Sequence, residues 1–233
     1  MSAFHKIIAT VKTALERAPR APTPTHAASA ATVIVPVTHD ARRAELISQF
    51  ARELEAVGGA FLGVYSPDEI RARTVALARA IGARTAAIGA GVTLDMAAVA
   101  RALEQAGVAV IQPGASDDAE RAIYRERVAG CDLGIVEADA AIASTGTLAV
   151  VGSAASPSSL TLLPPANLIM VSAGRMRPDL AAAVAAIGAE TFTSKRVALI
   201  TGPSRTADIE KMIVLGVHGP KQLYALAIWP NEV

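Results

Sequence analysis

Cysteine is almost absent: Cys131 is the only one in 233 residues. A disulfide within the chain is thereby excluded, and so is an iron–sulfur cluster or zinc site ligated by cysteines of this chain alone. Histidine is nearly as scarce. His5, His26, His39 and His218 show neither H-E-x-x-H nor H-x-H spacing, so no metal site is read from them. Aromatic residues make up 3% of the chain, which argues against a base-stacking or flavin-stacking platform. Charge of one sign is lacking too: 22 Lys and Arg stand against 21 Asp and Glu. Arg42-Arg43 and the group Arg121, Arg125 and Arg127 sit among acids, as on solvated helix faces. No nucleic-acid partner is expected.

A long apolar run is also missing. Lys6, Lys12, Glu16 and Arg17 interrupt the N-terminal segment, so no secretory leader is read there. The stretch from Ala140 to Gly174 carries no charge, but it is rich in Ser, Thr and Gly and contains Pro157, Pro164 and Pro165. A spanning helix needs roughly 20 predominantly apolar residues. This tract reads instead as buried strands and loops, and a cytoplasmic protein without membrane insertion is expected. What is present in quantity is alanine, 51 residues, within a hydrophobic fraction of 52%. A chain of this kind buries a core, and its small side chains let elements pack closely.

The pattern along the chain alternates. Residues 1–18 are expected to form a helical arm capped by Ser2, residues 19–31 a proline-rich linker, and residues 32–233 a single α/β domain. Within that domain Asp40 is expected to cap a helix that Gly58-Gly59 stop, followed by a strand at Ala60–Tyr65. Helices then start at Ser66-Pro67-Asp68-Glu69, near Asp95 and at Ser116-Asp117-Asp118, with strands at Arg84–Ile88 and Gly107–Ile111 between them. The second half reads as strands at Leu133–Glu137, Ala140–Ala143, Thr147–Val151, Asn167–Ser172, Val197–Ile200 and Leu223–Trp229, with a helix at Pro178–Ile187. Such succession predicts a layered α/β fold with a largely parallel sheet.

Several constellations can carry chemistry. Gly89-Ala90-Gly91 lies between a strand and a helix, but Leu94 stands where a dinucleotide fingerprint needs its third glycine. It reads as a plain turn. Ser144-Thr145-Gly146-Thr147 places hydroxyls around a glycine, where backbone N–H groups and hydroxyls can meet an anion. Gly202, Ser204, Arg205, Thr206, Asp208 and Glu210 follow the strand Val197–Ile200. Loops at the carboxyl ends of parallel strands bind ligands in α/β folds, and Arg205 suits a phosphate or carboxylate. Gly202-x-Ser204 lacks the second glycine of a nucleophile elbow, because Thr206 stands there. His218, Gly219, Pro220 and Lys221 form a third loop, with His218 able to act as general acid or base or to contact an anion. Glu137 and Asp139 share a face if they lie on a strand, and a solvated strand end is the simpler reading of them.

Taken together, the run IASTGTLAV, then LLPPANLIMV, then ALITGPSRTADIEKMIVLGVHGPKQLYALAI resembles the LUD-domain family, which includes proteins of the lactate utilization protein C type. The resemblance covers roughly residues 125–230 well and the earlier helices loosely. It implies a three-layer α/β/α sandwich similar to that of ribose-5-phosphate isomerase, glucosamine-6-phosphate deaminase and CoA transferases. It also implies a non-cluster component of a system that oxidises L-lactate to pyruvate, binding a small anionic ligand and docking on iron–sulfur and cysteine-rich subunits. A homo-oligomer is compatible with that reading. By position, the resemblance maps onto Thr145, Gly146 and Thr147, onto Gly202, Ser204, Thr206, Asp208 and Glu210, and onto His218, Gly219 and Pro220. Together with the loop chemistry of Arg205 and Lys221, this places expected ligand binding at Thr145, Gly146, Thr147, Gly202, Ser204, Arg205, Thr206, Gly219 and Lys221, and expected catalytic roles at Asp208, Glu210 and His218. Ser144 departs from the family pattern, in which glutamate usually precedes T-G-T, and this removes a carboxylate from the loop. The alternative is a stand-alone enzyme or binding protein of the same fold acting on a sugar phosphate, acyl-CoA or nucleotide.

Overall fold

The computed structural model describes residues 41–91, 93–114, 117–207, 213–215 and 219–229. The expected arm, the linker and the cap Asp40 lie outside them. Helix α1 (Ala41–Ala56) turns Ile47, Phe50, Ala51 and Leu54 to one side, the spacing of a single apolar stripe. It stops where expected: the N–H groups of Gly58 and Gly59 donate to the carbonyls of Glu55 and Leu54. Strand β1 (Ala60–Tyr65) follows, then α2 (Ile70–Ala80), β2 (Thr85–Ile88), α3 (Met96–Gln105), β3 (Ala109–Ile111), α4 (Asp118–Ala129) and β4 (Leu133–Glu137). Asp95 and Asp117 cap α3 and α4 by accepting from Ala98 N–H and Glu120 N–H at 2.9 and 2.8 Å. Ser66 does not start α2 directly. Its N–H and hydroxyl bond the Glu69 carboxylate, and the helix begins one turn later.

The remaining elements are β5 (Ala140–Ile142), β6 (Thr147–Val151), a short α5 (Ser159–Leu162), β7 (Ala166–Ser172), β8 (Met176–Arg177), α6 (Leu180–Ile187), α7 (Ala189–Ser194), β9 (Val197–Ile200), β10 (Arg205–Ala207), β11 (Ile213–Leu215) and β12 (Gln222–Ile228). Six of the strands form the central sheet in the order β1-β12-β7-β4-β2-β3, with every pairing parallel. The period-2 alternation divides its residues between two cores. Leu133, Ile135, Leu168, Met170 and Leu226 pack with Leu77 of α2 and Met96, Val99 and Leu103 of α3. Val136, Ile169, Val171, Ala225 and Ala227 pack with Ile47, Phe50 and Leu54 of α1 and Val128 of α4. The result is a three-layer α/β/α fold, as expected.

A second sheet, β8-β5-β6-β9, joins the second core through Ala141, Ala143, Leu148 and Val150. Here the structure corrects one expectation. Strand β9 is not a member of the parallel sheet; it runs antiparallel to β6, pairing Leu148 with Ile200 and Val151 with Val197. The segment after it therefore does not sit at the carboxyl edge of a parallel sheet. Nor is it all loop: Arg205, Thr206 and Ala207 pair with Leu215, Val214 and Ile213 as an antiparallel ribbon.

Candidate functional site

The hairpin β5–β6 has two chemically different ends. At one end, β4 delivers Glu137 to the carboxyl edge of the central sheet, where it is 5% exposed. Its carboxylate accepts from the N–H groups of Thr93 and Leu94 at 3.0 and 3.2 Å and from the Thr93 hydroxyl. These donors belong to the turn that leads into α3. Arg175 Nη1 stands 3.6 Å from Glu137 Oε1 and 3.8 Å from Asp139 Oδ1, and it donates to the Ala138 carbonyl at 3.2 Å. Asp139 Oδ2 accepts from Val151 N–H at 2.7 Å. Burial pushes the Asp139 carboxyl above its ordinary value, against the pull of Val151 N–H and Arg175 and with the help of Glu137. Asp139 lines a cavity of about 330 Å³ together with Arg175, Arg177, Thr191 and Lys195. Arg177 is held there by its bonds to the Gly174 and Met176 carbonyls. The lining of this cavity thus carries one carboxylate and three cations, of which Arg175 is shared with Glu137.

At the other end the groups are neutral. Thr145 Oγ1 and Thr147 Oγ1 are 2.7 Å apart, and Thr147 Oγ1 is 2.7 Å from Thr201 Oγ1, a hydroxyl chain that ties the T-G-T turn to the end of β9. Gly146 adopts φ +62°, and a side chain there would overlap the backbone of Glu53 and Leu54 in α1. Gly202, at φ +108°, lies against Val57 in the same way. The close approach that these glycines allow is to the C-terminal end of α1.

The other sequence-derived candidates are partly gathered. Ser204 N–H donates to the Pro220 carbonyl at 2.8 Å, and Gly219 packs against the Ser204 side chain, so the second and third loops meet. Lys221 is exposed, with its N–H on the Pro165 carbonyl. Arg205 and Thr206 lie in β10, but their side chains fall outside the described residues, as do Asp208, Glu210 and His218 altogether. Among the described residues no group of three His, Cys, Asp or Glu can hold a metal ion. No helix among them is long and apolar enough to cross a membrane.

Arg175 and Thr93 belong to no motif singled out in the sequence. One signal was available. Asp139 and Arg175 are the charges that bracket the uncharged tract Ala140–Gly174, and the fold brings these two together.

A parallel α/β/α core with a mixed second sheet, carrying buried charge at one sheet edge, defines the class of protein. The LUD domain model matches residues 47–228, and the chain belongs to that family. It is 37% identical over 103 residues to an uncharacterised protein of Neisseria meningitidis serogroup B, covering 44% of each chain. It is 32% identical over 109 residues to lactate utilization protein C of Macrococcus caseolyticus, covering 45% of this chain and 47% of that one. The chain thus spans under half the length of these two relatives. The uncharacterised protein YkgG of Escherichia coli is 27% identical over 158 residues, 66% of this chain and 67% of its own. A crystal structure of a DUF162 family protein from Deinococcus radiodurans superposes with a TM-score of 0.55 at 21% identity, covering 83% of this chain and 99% of that one. That likeness establishes the fold.

Proposed function

We propose that this protein acts in lactate utilization as a component without its own redox centre, binding a small organic anion in the Asp139 cavity and passing electrons only through partner proteins. The family match and the relatives named lactate utilization protein C support the pathway. The observation that carries the site is the Asp139 cavity, whose lining carries one carboxylate and the cations Arg175, Arg177 and Lys195. A 2-hydroxy or 2-oxo carboxylate suits that balance: its carboxylate meets Arg175 or Lys195, and its oxygen substituent meets Asp139. Asp139 is a proton exchanger in this reading, because burial raises its carboxyl above the ordinary value. A single cysteine, Cys131, cannot ligate an iron–sulfur cluster, so the electron-carrying centres belong to cysteine-rich partners. Asp208, Glu210 and His218 are further candidates for proton transfer, to be tested beside Asp139.

Gene deletion in a host with no other lactate dehydrogenase tests the reading. Loss of growth on L-lactate, restored by the wild-type chain, is the expected result, together with co-purification of an iron–sulfur protein. Unimpaired growth on lactate after deletion overturns it. The alternative, a stand-alone enzyme of the isomerase and CoA transferase fold, predicts turnover of a sugar phosphate or acyl-CoA by the purified chain without partners.

A further inference from the structure

We propose, resting on the reading of the Asp139 cavity as an anion site, that Glu137 is a positioning residue: it clamps Arg175 at the sheet edge beside Asp139, which leaves Lys195 as the cation that takes the ligand's carboxylate. Glu137 is itself immobilised. Its side chain is 1% exposed. The N–H groups of Thr93 and Leu94 hold one carboxylate oxygen and the Thr93 hydroxyl holds the other. Gly91 makes room for this carboxylate: a Cβ there would stand 3.0 Å from Glu137 Oε2 and 2.4 Å from the Leu94 carbonyl oxygen. The second glycine of Gly89-Ala90-Gly91 thus serves the packing of the turn before α3 against Glu137. A carboxylate so far from water is costly unless it is paired. Arg175 is the cation that pairs it.

The three cations of the cavity lining are held in different ways. On Arg175 a single nitrogen, Nη1, lies 3.6 Å from Glu137 Oε1, 3.8 Å from Asp139 Oδ1 and 3.2 Å from the Ala138 carbonyl oxygen. The guanidinium therefore closes over three consecutive residues at the end of β4. Engaged by two carboxylates and a carbonyl, it is not free to turn its fork to an incoming carboxylate. Arg177 is fastened to its own turn, where Nη1 donates to the Gly174 and Met176 carbonyls at 2.9 and 2.8 Å. Lys195 differs from both. It follows α7, is exposed and lines the same cavity, and among the described residues its ammonium makes no hydrogen bond or ion pair. A compact charge on a flexible stem suits a ligand that must enter and leave. The charged groups around Asp139 are Glu137 from β4, Arg175 and Arg177 from the segment before α6, and Lys195 from the end of α7. Burial raises the Asp139 carboxyl and Glu137 adds to the rise, while Val151 N–H, Arg175 and Lys195 pull it down. Arg175 thus governs the proton on Asp139, and Lys195 meets the ligand.

Nitrogen NMR of the Arg175 guanidinium in the full chain, assigned through Arg175→Lys, tests the clamp without any ligand. Slow rotation about the Cζ–Nη bonds, seen as resolved Nη signals at low temperature, is expected in the wild type. Glu137→Gln averages these signals and lowers the Asp139 titration, read from its carboxyl carbon, because a like charge is removed. Averaged signals in the wild type overturn the clamp, whether or not Glu137→Gln folds. Signals that stay resolved in a folded Glu137→Gln also overturn it. Calorimetric titration with L-lactate and pyruvate tests Lys195. Lys195→Gln weakens binding about tenfold, the usual scale for a lost charge-assisted hydrogen bond, and leaves the melting temperature of the free protein unchanged. Equal affinity in Lys195→Gln and wild type overturns the assignment of the ligand's carboxylate to Lys195. A wild type that binds neither acid overturns that assignment together with the anion-site reading, and the Arg175 signals then decide the clamp by themselves.

Discussion

The two ends of the β5–β6 hairpin carry opposite kinds of chemistry. Glu137, Asp139 and Arg175 form a buried ionic group at the carboxyl edge of the parallel sheet. Thr145, Thr147 and Thr201 form an uncharged hydroxyl chain behind α1. The conspicuous motif in the sequence, S-T-G-T, lies at the neutral end. Its glycine is explained by contact with α1, whereas the charged end borders a cavity. The difference teaches that a recognisable motif marks the fold here, and that the buried charged group is assembled from residues far apart in the chain.

The strongest way to sharpen this contrast is Gly146→Ala. It demands a left-handed backbone from alanine and drives a methyl into the Leu54 backbone, so a loss of about 3 kcal/mol or more is expected in urea denaturation. At the charged end, Arg175→Ala removes the cation shared by Glu137 and Asp139. Both carboxylates are largely buried, and a loss of about 2–3 kcal/mol at neutral pH is expected, shrinking as the pH falls and Asp139 protonates. Thr147→Val breaks the hydroxyl chain with little change of shape and should cost about 1 kcal/mol.

The smallest effect is in the pH profile. The Asp139 carboxyl titrates above its ordinary 3.8 in the folded state, so the folded protein holds more of this proton than the unfolded chain in that window. Its contribution to stability therefore falls as pH rises from 3.8 through the raised value. Asp139→Asn should flatten that part of the stability curve. An unchanged curve removes Asp139 from the account of the charged end.

Individual helices and strands were legible because their signals are local. Asp95, Asp117 and Asp179 cap helices close to where the sequence places them, and β1, β4, β6 and β9 have the expected bounds. The membership of β9 was not legible, since an apolar strand reads alike in a parallel or an antiparallel sheet. The two-residue β8 exists only through its pairing with the distant β5. The site divides in the same way. Thr145, Thr147, Gly202, Ser204 and Gly219 could be picked out from short motifs, and the structure brings several of them together. Arg175 could not, because its partners Glu137 and Asp139 lie on the far side of the uncharged tract and only the return of β7 alongside β4 brings them near.

The most direct measurement is complementation of lactate growth in a deletion strain by two variants of matched abundance, Asp139→Asn and Thr147→Val. With function at the charged end, Asp139→Asn fails to restore growth while Thr147→Val restores it. Growth with Asp139→Asn and failure with a folded Thr147→Val would contradict the account and move the site to the hydroxyl end.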